Sequence, residues 1–251
     1  MPDTSRAATD IERTLRTRLA ACYRVVDHLG WSEVIMNHIT LRLPGPEHHF
    51  LINPYGLRYD EVTASNLVKI DTGGNKIGDS PHPVNPAGFV IHSAIHAARD
   101  DAHCVLHTHS TAGIAVATKA RGLNHNSFYG AQFTDRVGYH DFEGLSLRDG
   151  EKPRLVKSLG DNKALILRNH GLLTVGRTVA EAFYHMWRLQ RACESQIALD
   201  AMQGEDVPVD RAIGRQATAD AEDFGGDGTV ADKLLDALVR KVHRLDPSYL
   251  D

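Results

Sequence analysis

Two rhythms of apolar residues run along this chain. Ile11, Leu15, Leu19, Cys22, Tyr23, Val26 and Leu29 recur at helical spacing, and Gly30 is the natural stop. From Asn37 to Leu43 the pattern changes to strict alternation, and Phe50-Leu51-Ile52 returns after the turn-forming Pro44–His49, which predicts a hairpin. Val68–Asp71, the glycine-rich Thr72–Asn75 and Lys76-Ile77 predict another. Residues 79–87 carry three prolines and are expected to be irregular. Helical spacing resumes over 88–99, and Cys104-Val105-Leu106 predicts a short buried strand running into His107-Thr108-His109-Ser110. Thr111–Lys119 reads as a small-residue helix, residues 121–138 as loop, and 156–159 as the end of a further helix. Ala164–Leu167 and Leu172–Val175 are apolar strands flanking Arg168-Asn169-His170-Gly171. Thr178–Ala198 is the longest predicted helix, with Thr178 and Glu181 spaced as a capping box. Leu234, Leu235, Leu238 and Val242 mark a last amphipathic helix.

Strands alternating with helices predict an α/β layered domain, and the hairpin signals exclude a purely parallel sheet. Residues 1–10 are expected to be a flexible arm, and 11–202 the main domain. Residues 203–251 are expected to form an excursion and a helix packed on that domain, with 203–229, rich in Gly, Asp and Ala, flexible.

Composition narrows the function. The 251 residues are 42% hydrophobic and 24% charged, with a net charge of -4, so no basic excess exists to grip nucleic acid. No apolar run is long enough to span a membrane, and the charged N-terminus lacks a signal-peptide core, so a cytoplasmic location is expected. Cys22, Cys104 and Cys193 are far apart in apolar settings and are expected to be buried, reduced thiols.

Histidine stands out, with 15 in the chain. His107 and His109 lie two apart at a strand end, so both imidazoles face the same way. His170 follows a second apolar strand, and Gly171 allows a sharp turn there. Three neutral imidazoles with an open position suit Zn²⁺ as a Lewis acid, or Fe²⁺ or another first-row ion such as Mn²⁺. On the residues alone, an ordinary surface or core set of histidines stands as an equal alternative.

Several stretches of the chain bear on that choice. They are Asn37-His38-Ile39-Thr40, Ile52-Asn53-Pro54-Tyr55-Gly56, Cys104–Ser110, Tyr139-His140-Asp141 and Ile166–Gly176. Through them, residues from about 12 to 200 resemble the class II aldolase/adducin family. The resemblance implies a three-layer α-β-α sandwich around a mixed, largely antiparallel sheet. It implies a divalent metal, Zn first with Fe or Mn open, on His107, His109 and His170. It also implies a small carbonyl substrate, cleaved or formed at a carbon–carbon bond through a metal-stabilised enediolate, and a homotetramer with sites near subunit contacts. Asn37, Tyr55, Gly56 and Gly88 take the substrate-binding positions.

The chain departs from the family's sugar-phosphate aldolases in two places. Their acid/base glutamate, one helical turn before a histidine, aligns on His92 with Gly88, and Asn85–Gly88 holds no carboxylate. Gly88 itself, at a loop-to-helix junction, is expected to take a positive φ. Their phosphate-holding serines align with Pro86 and Ala87, and their Thr-Pro-Ser-Gly turn with Asn53-Pro54-Tyr55-Gly56. Tyr55 and Phe89 predict a more apolar pocket, and a substrate that is not a sugar phosphate. His140, Asp141, Tyr139, Tyr129 and His92 are the candidate replacement bases. The expected activity is a metal-dependent lyase reaction: retro-aldol cleavage or a related decarboxylation. The alternatives are a non-catalytic binding or assembly module, as in the adducin head, whose sequence is closer over Asn85–Ile95, and a non-haem Fe(II) oxygenase on the same scaffold.

Overall fold

The computed structural model describes residues 4–145, 148–226 and 228–251, without the side chains of 4–8, Pro86, Ala87 and Phe89. In chain order the elements are α1 (Thr4–His28), β1 (His38–Arg42), β2 (Phe50–Ile52), β3 (Val68–Ile70), α2 (Pro86–Ala98), β4 (Cys104–Thr108) and α3 (Thr111–Thr118). They continue as α4 (Phe128–Ala131), β5 (Gly138–His140), α5 (Lys152–Leu159), β6 (Ala164–Leu167) and β7 (Gly171–Gly176). The chain ends in three helices, α6 (Val179–Ala201), α7 (Arg211–Gly226) and α8 (Thr229–Leu245).

Seven strands form one sheet in the order β3-β2-β1-β4-β7-β6-β5. Every pairing is antiparallel except β5 with β6. Strand alternation sends Cys104 and Leu106 to one face, where they pack with α1, α3, α6 and α8. Val105, Leu165, Leu173 and Val175 go to the other, under α2 and α5. Two apolar faces covered by helices make the three-layer α-β-α sandwich that the family resemblance implies.

The three cysteines are buried and free, and burial pushes the Cys22 and Cys193 thiols up to about 12. Among the described residues, no helix is long and apolar enough to cross a membrane.

Three local expectations need correction. The arm expected over 1–10 is helical from Thr4; Ala7 and Ala8 are strong helix formers that extend α1 past its apolar stripe. The excursion expected over 203–229 contains α7. Its packing face is made of small residues, Gly214, Thr218 and Ala221, which give almost no hydrophobic signal. Thr218 Oγ1 reaches the Ala131 carbonyl at 3.1 Å, and a Cβ on Gly214 would lie 2.5 Å from Thr134 Oγ1. Tyr139-His140, expected in a loop, belongs to the edge strand β5, too short to show a period in the sequence.

The N-terminus of α6 is capped as expected on one side only. Thr178 Oγ1 accepts from the Glu181 N–H at 3.1 Å, but the Glu181 carboxylate takes the Arg177 N–H at 2.8 Å, one residue early for a reciprocal box. Thr178→Ala is therefore expected to cost about 1 kcal/mol, read as a fall in the urea midpoint at unchanged slope. An unchanged midpoint would show that Glu181 alone supports this end.

Candidate metal centre

The site lies where the central strand runs out. β4 ends at Thr108, and its neighbour β7 starts at Gly171, antiparallel, with Thr108 opposite Leu172. The strand beside β4 is thus β7, not β6, and the turn from β6 into β7 delivers His170. In that turn Asn169 takes the left-handed conformation, φ 57°, which Asn tolerates better than most side chains. Gly171 serves close approach rather than turn conformation: a Cβ there would lie 2.3 Å from the Thr108 carbonyl oxygen and 3.2 Å from the His109 ring. Glycine lets β7 begin hard against β4, which sets His170 beside His109.

The three rings converge through one type of atom. His109 Nε2 lies 2.8 Å from His107 Nε2 and 2.9 Å from His170 Nε2. The opposite edges of two rings are held. His107 Nδ1 donates to the Leu172 carbonyl at 2.8 Å, and His109 Nδ1 to the Glu33 carboxylate at 2.5 Å. A carbonyl and a carboxylate only accept, so Nδ1 carries the proton on both rings. On a neutral ring this leaves Nε2 as a bare lone pair, and that of His107 faces the Nε2 of His109. Burial first, then the neighbouring histidines, holds His107 well below the usual histidine value. The same causes bring His170 down to about 4, so both are neutral near pH 7. Converging neutral lone pairs suit a bound cation, and a ring whose far N–H is tied to a carbonyl or carboxylate is a pre-oriented metal ligand. The donor set therefore fits a divalent first-row ion. Glu33, on the loop before β1, had no signal in the sequence, because neither its spacing nor its local pattern ties it to His109.

Behind His107 lies a second histidine layer. His38 is opposite His107 in the β1–β4 register, with ring centroids 5.5 Å apart, and His92 of α2 packs on His38 at 4.2 Å. Both nitrogens of His38, both polar atoms of Asn37 and His92 Nε2 are buried with no hydrogen-bond partner among the described residues. Burial lowers His38 to about 3, with His109 and His170 acting the same way and the Met36 carbonyl pulling against them. Gly88 is inside α2 and does not have a positive φ, which corrects the expected backbone strain. Its constraint is steric: a Cβ would sit 2.8 Å from the His38 ring.

The other expected site residues separate. Tyr139 faces away from His140, as period-2 alternation requires. Its hydroxyl accepts the Leu123 N–H at 3.0 Å, and the Arg168 guanidinium covers its ring at 4.3 Å, so it is a packing residue. Tyr129 meets Phe128 edge to face, with ring centroids 5.1 Å apart. Asp141 is exposed. His140 is close enough to His170 to depress its protonation, but it is buried between Ser158 Oγ at 3.1 Å and Glu151 Oε1 at 3.3 Å. Tyr55 bonds through its N–H to the Pro83 carbonyl at 3.0 Å, and the exposed Gly56 takes φ 102°. Neither is joined to the three histidines by a hydrogen bond among the described residues. The side chains of Pro86, Ala87 and Phe89, and with them that part of the predicted pocket wall, lie outside the described residues.

Comparison with known proteins places the chain. The family model described as Class II Aldolase and Adducin N-terminal domain matches residues 17–197. A Caulobacter vibrioides protein whose name goes no further than aldolase class 2 is 43% identical over 246 residues, 97% of this chain and 94% of that protein. Mouse alpha-adducin is 47% identical over 196 residues, 77% of this chain but 26% of adducin. Among solved structures, an aldolase II superfamily protein from Pseudomonas syringae aligns with a TM-score of 0.88 at 44% identity, covering 96% of each chain. A structure titled L-fuculose 1-phosphate aldolase from Glaciozyma antarctica aligns at 0.82 and 29% identity, covering 95% of this chain and 92% of that one. With similarity of this extent in both sequence and fold, the chain belongs to the class II aldolase and adducin N-terminal domain family.

Proposed function

We propose that this chain is a metal-dependent lyase that cleaves a small, non-phosphorylated hydroxy-carbonyl compound by a retro-aldol step or a related decarboxylation. The observation that carries the reading is the convergence of three Nε2 atoms, with the Nδ1 protons of His107 and His109 committed elsewhere. His107, His109 and His170 would hold the ion, with zinc the first choice and iron or manganese next. A bound divalent ion supplies Lewis acidity, polarising a carbonyl and stabilising the negative charge that develops beside it. The chain's own contribution is orientation. Glu33 and the Leu172 carbonyl hold two rings in one tautomer, and the polar atoms of Asn37, without a partner among the described residues, offer a substrate one donor group and one acceptor.

The structural relative titled L-fuculose 1-phosphate aldolase suggests a sugar phosphate instead. Against that stand Pro86 and Ala87, which have no hydroxyl to offer a phosphate. A homotetramer in the cytoplasm completes the reading. Val34 and Met36, which follow Glu33 in its loop, and Phe142 and Leu145, beyond β5, are exposed apolar side chains of the kind a second copy would cover. The identity to alpha-adducin supports a second reading, a non-catalytic assembly module, in which the histidines would bind metal without turnover.

Assay of the metal-loaded protein on paired phosphorylated and non-phosphorylated hydroxy-carbonyl compounds separates these. Hydrogen bonds to a charged group contribute about 1.5–3 kcal/mol each, so two missing contacts predict kcat/KM on the order of 10²–10⁴ lower for the phosphates. Phosphate turnover at or above that of the free compounds would sink the substrate assignment. Metal-loaded protein inert on the whole panel favours the assembly module.

A further inference from the structure

Retro-aldol cleavage needs a group to take the proton of the substrate hydroxyl, and Asn85–Gly88 holds no carboxylate. The layer between α2 and the sheet contains an alternative. His38 and Thr40 lie two apart on β1, on one face; His92 and His96 lie one turn apart on α2, on one face. The two pairs meet, and Thr40, His92 and His96 bond in series. His96 Nδ1 is 2.7 Å from the Ala102 carbonyl oxygen, His96 Nε2 is 2.7 Å from Thr40 Oγ1, and Thr40 Oγ1 is 2.6 Å from His92 Nδ1.

The protons on this line have one arrangement. The carbonyl only accepts, so His96 Nδ1 carries the proton. Burial holds His96 down to about 3, so its ring is neutral and Nε2 is a bare lone pair. The Thr40 hydroxyl must donate to it, which uses its only proton. Thr40 Oγ1 can then only accept from His92, so His92 Nδ1 is protonated. Burial, with lesser contributions from His38, His96 and His107, also keeps His92 neutral. Its Nε2 is left as an unprotonated lone pair, buried and without a partner among the described residues. That nitrogen belongs to the ring packed on His38, which in turn packs on the candidate ligand His107.

We propose that Ala102, His96 and Thr40 form a positioning relay that locks His92 in the Nδ1–H tautomer, and that His92 Nε2 accepts the substrate hydroxyl proton. The proposal rests on the lyase reading above. In the step, the O–H proton passes to Nε2, the hydroxyl carbon becomes a carbonyl as the C–C bond breaks, and the bonding pair stays on the carbon next to the original carbonyl. The proton then returns to that carbon, so no oxidant or further reactant is needed. Neighbouring side chains explain why this base stands apart from the other candidates. Tyr139 is spent on packing and His140 is held between Ser158 and Glu151, whereas His92 has one edge committed and the other buried without a hydrogen-bond partner among the described residues.

The test reads the tautomer and the turnover separately. In ¹⁵N-labelled, metal-loaded protein, imidazole ¹H–¹⁵N correlations, assigned by difference from His92→Gln, should show His92 with Nδ1 protonated and Nε2 bare. Thr40→Val should mix the tautomers and Thr40→Ser should not. On a compound the protein cleaves, His92→Gln should lower kcat about 10²–10⁴-fold at nearly unchanged KM and metal content. Thr40→Val should lower kcat in part, and Thr40→Ser should restore it. A proton on Nε2 of His92 in the wild-type spectrum overturns the relay whether or not a substrate is known. Undiminished kcat in His92→Gln overturns the proton-accepting role. Absence of all cleavage alongside the locked tautomer falls on the lyase reading, and leaves His96 and Thr40 positioning a base that no substrate uses.

Discussion

His109→Ala is expected to fold but to lose the stoichiometric divalent metal that the wild-type protein should retain through dialysis, with any cleavage activity falling to background. His109 is the hub of the three-ring set: its Nε2 is within 2.9 Å of both other Nε2 atoms, while the His107 and His170 rings meet edge to face with centroids 4.9 Å apart. Its removal leaves two ligands and also strands Glu33, whose carboxylate loses its imidazole. Loss of an outer partner alone typically costs about 10–100-fold in metal affinity. Glu33→Gln should therefore weaken the site by about that factor while keeping the ion at millimolar metal, and His109→Ala should fall well below it. Folding should survive, because His109 is beyond the end of β4 and outside the apolar clusters, whereas His107 is buried and hydrogen-bonded to β7. Metal content by elemental analysis decides the matter: a His109→Ala protein that still carries one tightly held ion per chain removes the basis for the metal assignment.

How far such a centre can be read in advance depends on how local its causes are. His107 and His109 were visible because strand periodicity sends i and i+2 to one side, and the apolar run before them marks a buried strand. The layered fold was visible for the same reason, in β4, β6, β7 and the stripe of α6. The route of His170 into the site was not, because it depends on which strand neighbours β4 and on Gly171 passing 2.3 Å from a carbonyl oxygen where any Cβ would be. Glu33 joins the site across 76 positions of sequence, and the Thr40–His96 contact spans 56; no periodicity encodes such pairs. The helix over residues 211–226 leaves little trace in the sequence for another reason. A helix that packs through Gly214, Thr218 and Ala221 is held by close approach and backbone-directed hydrogen bonds, and hydrophobic spacing does not register either. Tyr139 borders His140 in sequence, but alternation in an edge strand sets the two on opposite faces.

The glycine at 88 provides the sharpest test of how the two histidine layers fit together. In an exposed helix, replacing Gly by Ala stabilises by about 0.5–1 kcal/mol, since the chain loses less freedom on folding. Here the added Cβ meets three atoms of the His38 ring at 2.8 Å, closer than carbon atoms pack. His38 has little room to yield, being buried between His92 and His107. Overpacking of this kind costs about 1–3 kcal/mol, so Gly88→Ala should destabilise despite its better helix propensity. In a His38→Ala background the ring is gone, and the same Gly88→Ala change should become neutral or stabilising by the helix term alone. The two sites should therefore couple strongly, with a reversal of sign, when the four proteins of the cycle are compared by urea unfolding. An equal loss in both backgrounds would mean that something other than His38 demands glycine at this position. The same contact bears on catalysis. A glutamate placed at 88 must push His38 aside before its carboxylate can reach anything, so Gly88→Glu alone is expected to lose stability without gaining cleavage. The space a carboxylate would need is already filled by His38, and the proton-accepting lone pair in this layer is that of His92.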